Sequence, residues 1–369
     1  MALSKIDTTN MIEDVPQSKI DNNINFRNII INGDMSIAQR GTSVTGITTG
    51  AYHTVDRIIT QISSAGTWTQ SQSTDVPSGE GFSNSFKMDC TTADSSLSAG
   101  DYLTISQRIE GQNLQYLKKG TSSAESLTLS FWVKSSKTGT YIAELDDRDN
   151  TRAISKSYTI DTADTWEKKT LTFAGDTSGA LDNDNARSLE LNLWLGAGTT
   201  FTSGTLATSW ETRTNANRAV GQVNLADSTS NEWYITGVQL EAGTTASDFE
   251  FLPYDVNQQR CFRYYEAIVP LSNSGMICVA VSYATTTADG DLTYTIKRAT
   301  PSLDQVTGTA YYGYARNSSV KTFDSFLTSA IKLDRLRLRA TGLTGTTAGY
   351  AGWLQAQNSS GYLAIDAEL

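Results

Sequence analysis

Apolar and polar residues alternate with a period of two along most of this chain, in short runs separated by Gly, Asn, Asp and Ser. "SLTLSFWVKS" sets Leu127, Leu129, Phe131 and Val133 on one side and Thr128, Ser130, Trp132 and Lys134 on the other. "SLELNLWLG" repeats the arrangement, with Leu189, Leu191, Leu193 and Leu195 opposite Ser188, Glu190, Asn192 and Trp194. Successive side chains of a strand point to opposite faces, so each run predicts a half-buried strand. "NSFKMDC", "DYLTISQRI", "GTYIAEL" and "KKTLTFAG" extend the series, and turns such as "LDDRDN" and "SGALDNDN" divide it. Two packed antiparallel sheets of the jelly-roll kind fit this pattern.

The phase changes once within a single run, in "EWYITGVQLEAG". Trp233 and Ile235 share one parity, Val238 and Leu240 the other, with Thr236-Gly237 at the switch. A β-bulge there returns all four side chains to one face, as in a strand that closes a domain. "GTTASDFEFLPYD" is then a turn-rich exit, and "DVNQQRCFRYYE" predicts a short helix with Asp255 as N-cap and Gln258 three residues on. Strand patterns resume in "MICVAVSY" (Ile277, Val279, Val281 and Tyr283 in one phase), "LTYTIKR", "LDRLRLRA" and "YLAIDAEL". The expected class is all-β: an N-terminal arm over residues 1–27, a jelly-roll sandwich over 28–255, and a smaller C-terminal β-sandwich tip over 256–369. In the arm, Ile6, Met11, Ile12, Val15, Pro16 and Ile20 are isolated apolar positions without a sustained period. They suit docking onto another protein, the competing reading being a disordered terminus.

Composition narrows the function. The 369 residues carry a formal net charge of −10 and no long Lys/Arg stripe, which excludes nucleic acid as a partner. Three Cys without a Cys-x-x-Cys pair imply neither a disulfide framework nor a thiolate metal site. Cys90 and Cys278 fall in strand patterns and read as reduced core thiols. No run reaches the ~20 apolar residues of a membrane helix, and the first residues lack a signal-peptide core, so a soluble chain without membrane insertion is expected.

Little in the chain suggests catalysis. His53 is the one histidine, and no Gly-x-Ser-x-Gly elbow presents a serine. "SGEGFSN" lacks the third glycine of a dinucleotide loop, and "KKGTS" orders the phosphate-loop letters wrongly. Asp146, Asp147 and Asp149 read as one solvated turn, Asp182 and Asp184 as another. Glu190 is a lone candidate acid with no evident partner, although glycan cleavage uses two carboxyls. The expectation is a non-enzyme that needs no cofactor and no metal. Aromatic residues point instead to binding. Trp132 and Trp194 interrupt polar strand faces, where a flat ring can stack on a sugar while Glu190 and Asn192 bond its hydroxyls. Burial of both faces by a sheet, a loop or a subunit is the alternative. In the tip, Tyr311, Tyr312, Tyr314, Tyr350 and Trp353 sit among Gly and small residues, suited either to recognition loops or to strand packing.

Several strings together resemble a known family. "RNIIINGDMSIAQRGTS", "YHTVDRI", "WYITGVQLEAGTTASDFEFLPYDVNQQRCFRYYE", "IKRATPS" and "DAEL" resemble tail-fibre and related virion structural proteins of tailed bacteriophages, over nearly all of Arg27 to Leu369. The resemblance implies a carbohydrate-binding-type jelly roll with a β-sandwich tip, assembled as a homotrimer on the virion. It further implies attachment to other tail or head proteins through the arm and contact with a host-surface glycan or receptor. Relatives of this jelly roll often hold a structural calcium, but Asn32-Gly33-Asp34-Met35-Ser36 and Thr236-Gly237 thin out its oxygen ligands. A scaffold role (head fibre, decoration or tail adaptor) and a polysaccharide-degrading tail enzyme are the alternatives.

Overall fold

The structure, a computed structural model, describes residues 26–269, 275–357 and 361–369. The proposed attachment residues Ile6, Met11, Ile12, Val15, Pro16 and Ile20 lie outside the described residues.

The first domain is a sandwich of two antiparallel sheets. Its six-stranded sheet contains β1 (Ser43–Ile47), β4 (Thr67–Ser73), β5 (Ser85–Thr92), β7 (Leu127–Ser135), β10 (Glu167–Phe173) and β13 (Glu232–Ala242), ordered β1-β4-β5-β13-β7-β10. The seven-stranded sheet contains β2 (Ala51–Tyr52), β3 (Ile59–Ser63), β6 (Tyr102–Glu110), β8 (Gly139–Asp147), β9 (Arg152–Ile160), β11 (Arg187–Ala197) and β12 (Glu211–Thr212), ordered β12-β9-β8-β11-β6-β3-β2. Leu127, Leu129, Phe131 and Val133 of β7 meet Leu189, Leu191, Leu193 and Leu195 of β11 in one core between the sheets. These are the two apolar faces that alternation marks in the sequence.

β13 has its bulge. Its pairing with β7 slips between Thr236 and Gln239, and Trp233, Ile235, Val238 and Leu240 all enter the core. Gly237 occupies the left-handed region at φ 63°, where only glycine sits without a Cβ penalty. A Cβ there would also lie 2.6 Å from Phe82 Cζ.

A helix, α2 (Tyr254–Phe262), follows; α1 is a single turn at Thr199–Thr202. Pro253 stands at the N-cap of α2 and Asp255 falls inside the first turn, with no side-chain cap. The expected Asp255 cap is therefore displaced by a proline, whose fixed φ starts the helix two residues earlier.

The second domain has its own core. β14 (Tyr265–Val269), β23 (Leu363–Asp366) and β17 (Ser302–Gln305) form a small sheet in the order β14-β23-β17. A seven-stranded sheet in the order β19-β18-β22-β15-β16-β21-β20 is built from β15 (Met276–Ala284), β16 (Thr287–Thr293), β18 (Tyr312–Arg316), β19 (Ser319–Phe323), β20 (Phe326–Ser329), β21 (Arg335–Ala340) and β22 (Ala351–Ala356). On β15 both faces carry apolar residues: Cys278, read from the sequence as a core thiol, faces the core with Ala280 and Ser282, while Val279, Val281 and Tyr283 are exposed, Tyr283 to 70%. Tyr314 and Leu354, on the neighbouring strands of the same sheet, already fill this face, Tyr314 reaching Ser282 with its hydroxyl at 3.0 Å, and leave room beside them only for small residues. Arg335, Arg337 and Arg339 on β21 pair with Asp334, Asp291 and Asp289 along the outer face.

The strings that carry the tail-fibre resemblance converge on the joint between the domains. Asn257 of α2 donates to Asp34 (3.0 Å) and Ser36 (3.1 Å) and accepts from the Asn32 backbone. Gln39 bonds the backbone of Tyr265 and Ala267, and Arg40 lies over the Tyr265 ring at 3.4 Å. Arg57, fully buried, stacks on Tyr264 at 3.5 Å and pairs with Glu368. Arg263 clamps Glu110 with two bonds of 2.8 and 2.6 Å. Lys297 reaches the Phe262 carbonyl, and Arg298 holds the carbonyl of Ala367. Asp34 is thus occupied with Asn257 and Ser36. No grouping of His, Cys, Asp or Glu suited to a metal occurs among the described residues.

Candidate functional site

The polar phases of β6, β11 and β8 form a grid on the outer face of the seven-stranded sheet. One row runs Arg108, Glu190, Asp146; the next runs Ser106, Asn192, Glu144; Thr104 lies beside Trp194 in the third. Gln61 on β3 pairs with Thr104 and extends the third row. Opposite faces of a strand are chemically independent, so this grid exists because the core is already filled from the other side.

This outer face is not open. The segment from α1 to about residue 218 folds over it, so β11 is buried on both sides along nearly its whole length. Trp194 is therefore 1% exposed, packed against Tyr102 and Phe201 with its indole N–H on Glu144 at 3.2 Å. As an open stacking platform Trp194 is corrected: the covering segment makes it the floor of a cleft. Burial of its ring is made tolerable by that N–H bond.

The cleft holds about 250 Å³ and is lined by aromatic Tyr102, Trp194 and Phe201, by Gln61, Asn192 and Glu190, and by Asp146, Arg148, Arg187 and Arg218. Its charges are tied together. Arg218 forks onto Glu144 at 2.7 and 2.9 Å and lies 5.1 Å from the Trp194 ring centre. Arg213 reaches both oxygens of Asp146 at 2.8 Å, and Arg148 bonds one of them at 2.8 Å. Glu190 accepts from Gln61 (2.9 Å) and Arg108 (3.2 Å). Asp146 and Asp147 do not form the solvated turn expected of them: both end β8 fully buried, Asp147 paired with Lys119. Burial of a carboxylate requires such partners.

The remaining sequence candidates lie elsewhere. Trp132 is half-buried on the outer face of the six-stranded sheet, two residues along β7 from Lys134, so it and Trp194 are on opposite sides of the sandwich and share no surface. Lys134 lies over the rings of Tyr234 (4.4 Å) and Trp166 (5.7 Å) on that side. Tyr312 and Tyr314 are core residues and are corrected as recognition candidates. Tyr312 packs on Phe323 and Phe326 and its hydroxyl donates to the Tyr362 carbonyl at 2.5 Å; the Tyr314 hydroxyl donates to the Tyr350 carbonyl at 3.0 Å. Their alternation in "YYGYAR" meets a core rather than a surface. Tyr311 is half-buried, whereas Tyr350 (beneath Arg316, 3.7 Å) and Trp353 (40% exposed) remain accessible.

Sequence reasoning found Glu190, Asn192 and Trp194 but not Arg108, Arg148, Arg187, Arg218, Tyr102 or Phe201. Part of this was available: "LTISQR" puts Thr104, Ser106 and Arg108 in one polar phase, matching Asn192 and Glu190 on a neighbouring strand. Phe201 and Arg218 come from the covering segment, whose path no period reveals.

No family model and no curated protein matches the chain. Among solved structures, the enzymatically active domain of bacteriophage CBA120 tailspike protein 4 is 17% identical over 58% of this chain, which spans 21% of that protein's chain, at a TM-score of 0.31. The family 11 carbohydrate-binding module from Clostridium thermocellum, in complex with a mixed-linked tetrasaccharide, is 12% identical over 58% of this chain and 94% of its own, at 0.26. TmCBM61, in complex with β-1,4-galactotriose, is 9% identical over 58% and 99%, at 0.25. With values this low the functional reading rests on the cleft itself.

Proposed function

We propose that this chain is a non-enzymatic virion protein of the tailed-phage fibre type that binds a host-surface glycan in the cleft of its first domain. The observation that carries glycan binding is the pairing, in one small cleft, of an aromatic wall (Tyr102, Phe201, Trp194) with fixed hydrogen-bonding groups (Gln61, Asn192, Glu190, Arg187). A sugar ring offers an apolar face and a rim of hydroxyls, and this is the complementary surface. The volume is slightly below the ~300–1,000 Å³ of drug-sized sites, which suits a short stretch of a glycan chain. The virion role rests on the sequence strings; the arm 1–27 would attach to tail or head proteins, and assembly as a homotrimer would multiply weak sites into strong adhesion.

One observation favours a second reading. Asp146 and Glu190 line the same cleft, as the two carboxyls of a polysaccharide-cleaving enzyme would. Each, however, is bound by arginine, and a general acid needs surroundings that favour its protonated form. Binding without turnover is therefore the stronger reading. Glycan-array binding by the full chain tests it, with Tyr102→Ala and Trp353→Ala as variants. Loss of at least about tenfold in affinity for Tyr102→Ala, with Trp353→Ala unchanged, is expected. Loss confined to Trp353→Ala would move recognition to the tip, and release of fragments from host capsule that Glu190→Gln abolishes would make the protein an enzyme.

A further inference from the structure

The cleft carries more cation than its carboxylates can neutralise. Arg108, Arg148, Arg187, Arg213 and Arg218 surround three carboxylates, Glu144, Asp146 and Glu190. Arg108 also bonds a Leu369 oxygen, so at least one guanidinium charge is in excess, within a chain of formal net charge −10. The excess is localised. Arg218 is committed to Glu144, Arg213 to both oxygens of Asp146, and Arg108 to Glu190. Arg148 must share Asp146 with Arg213. Among the described residues, the hydrogen bond available to the Arg187 guanidinium is to Glu190 Oε2, at the outer limit of 3.5 Å.

Arg148 and Arg187 are both half-buried and both line the cleft beside Glu190 and Asn192. Burial, together with the like charges of Arg148 and Arg108 and against the attraction of Glu190, holds the Arg187 guanidinium below its ordinary pKa. A partly desolvated cation without a full partner is costly, and an arriving anion removes that cost. The guanidinium fork matches a planar carboxylate with two parallel bonds. The field of the remaining negative surface is screened beyond about 8 Å at physiological ionic strength, so it does not cancel this local excess.

We propose that the cleft selects a sugar bearing a carboxylate, of the uronic-acid class, with Arg187 and Arg148 receiving the carboxylate while Tyr102 and Phe201 hold the ring. This rests on the glycan-binding reading above and narrows its ligand. It also explains why the arginines outnumber the acids: the missing anion arrives with the ligand.

The test uses the full chain on an array in which each uronate-bearing glycan is printed beside its carboxyl-reduced neutral twin, followed by titration calorimetry of the best pair. The acidic member binds at least about tenfold more tightly, the contribution of one charge-assisted hydrogen-bonded pair. Arg187→Gln abolishes that preference, so that the acid and its neutral twin bind alike, and Arg187→Lys, which keeps charge but loses the fork, restores it in part. Neutral twins that bind through the cleft as tightly as the acids would overturn the selectivity and leave glycan binding standing. A sulfated comparator preferred over the uronate would overturn the carboxylate assignment. If no glycan on the array binds, both readings fall together.

Discussion

Replacement of Arg218 by leucine exposes how the cleft is held together. In the wild type Glu144 is completely buried and receives four hydrogen bonds: two from Arg218 at 2.7 and 2.9 Å, one from Asn192 at 3.1 Å and one from Trp194 at 3.2 Å. Arg218→Leu removes the one cation bonded to it among the described residues and leaves two neutral donors. Breaking a buried ion pair by deleting one partner costs about 3–5 kcal/mol, and the surviving donors place this case near 3 kcal/mol. Asp146 loses only a 3.6 Å contact, since Arg148 and Arg213 stay at 2.8 Å. For a domain of this size the loss lowers Tm by about 6–12 °C. All but one of the seven tryptophans belong to the first domain, so urea unfolding followed by tryptophan fluorescence reads its transition. Arg218→Leu/Glu144→Gln removes the stranded charge, keeps an oxygen acceptor for Asn192 and Trp194, and recovers about 1–2 kcal/mol of the loss. A single variant as stable as wild type, or a double variant worse than the single, would refute the charge-pairing account.

Three further outcomes follow from the same structure. Gly237→Ala forces a Cβ into the left-handed region and toward a Phe82 ring already packed on Phe249 and Phe251, so it destabilises the first domain by at least ~1–2 kcal/mol in chemical denaturation. Burial raises the Asp56 carboxyl from 3.8 to about 6 against the pull of Arg40 and Gln39. The folded state then holds a proton that the unfolded chain has released, so this contribution is complete below the unfolded value and is lost as pH rises through 6. Comparing Asp56→Asn with wild type across that window should show wild type losing about 3 kcal/mol relative to the variant, and parallel curves would contradict it. Cys90, Cys261 and Cys278 are buried, and burial pushes their thiols up, to about 11 at Cys90 and Cys278 and well above the ordinary value at Cys261. Ellman titration should find them unreactive at neutral pH until denaturant is added.

The sandwich was legible because its strands obey a period of two with the larger apolar residues on one side, as in β7 and β11. The bulge of β13 was legible for the same reason: the phase flips at Thr236-Gly237, and only an extra residue reconciles the halves. Alternation misled where both faces of a strand carry apolar side chains. On β15 it cannot say whether Val279 and Val281 or Cys278 and Ala280 face inward, and the tyrosines of β18 settle that by occupying the core. The cleft was half visible. Glu190, Asn192 and Trp194 stood out on a polar face, but what closes over them is an irregular segment, and what neutralises them arrives from β6, β8 and that segment through pairings that one sequence does not state. Apart from the β13 core residues, the strings that resemble phage fibres supply many of the residues of the interdomain joint. They report how the two sandwiches are fastened, and the cleft is lined by other positions.

The most direct measurement is a crystal structure of the full chain with the best-binding glycan from the array. Density for a sugar ring against Tyr102 and Phe201, with its polar groups on Asn192, Glu190 and Arg187, is the predicted result. A sugar seated on the exposed strands around Trp353 and Tyr350, with the cleft still holding only water, would contradict it.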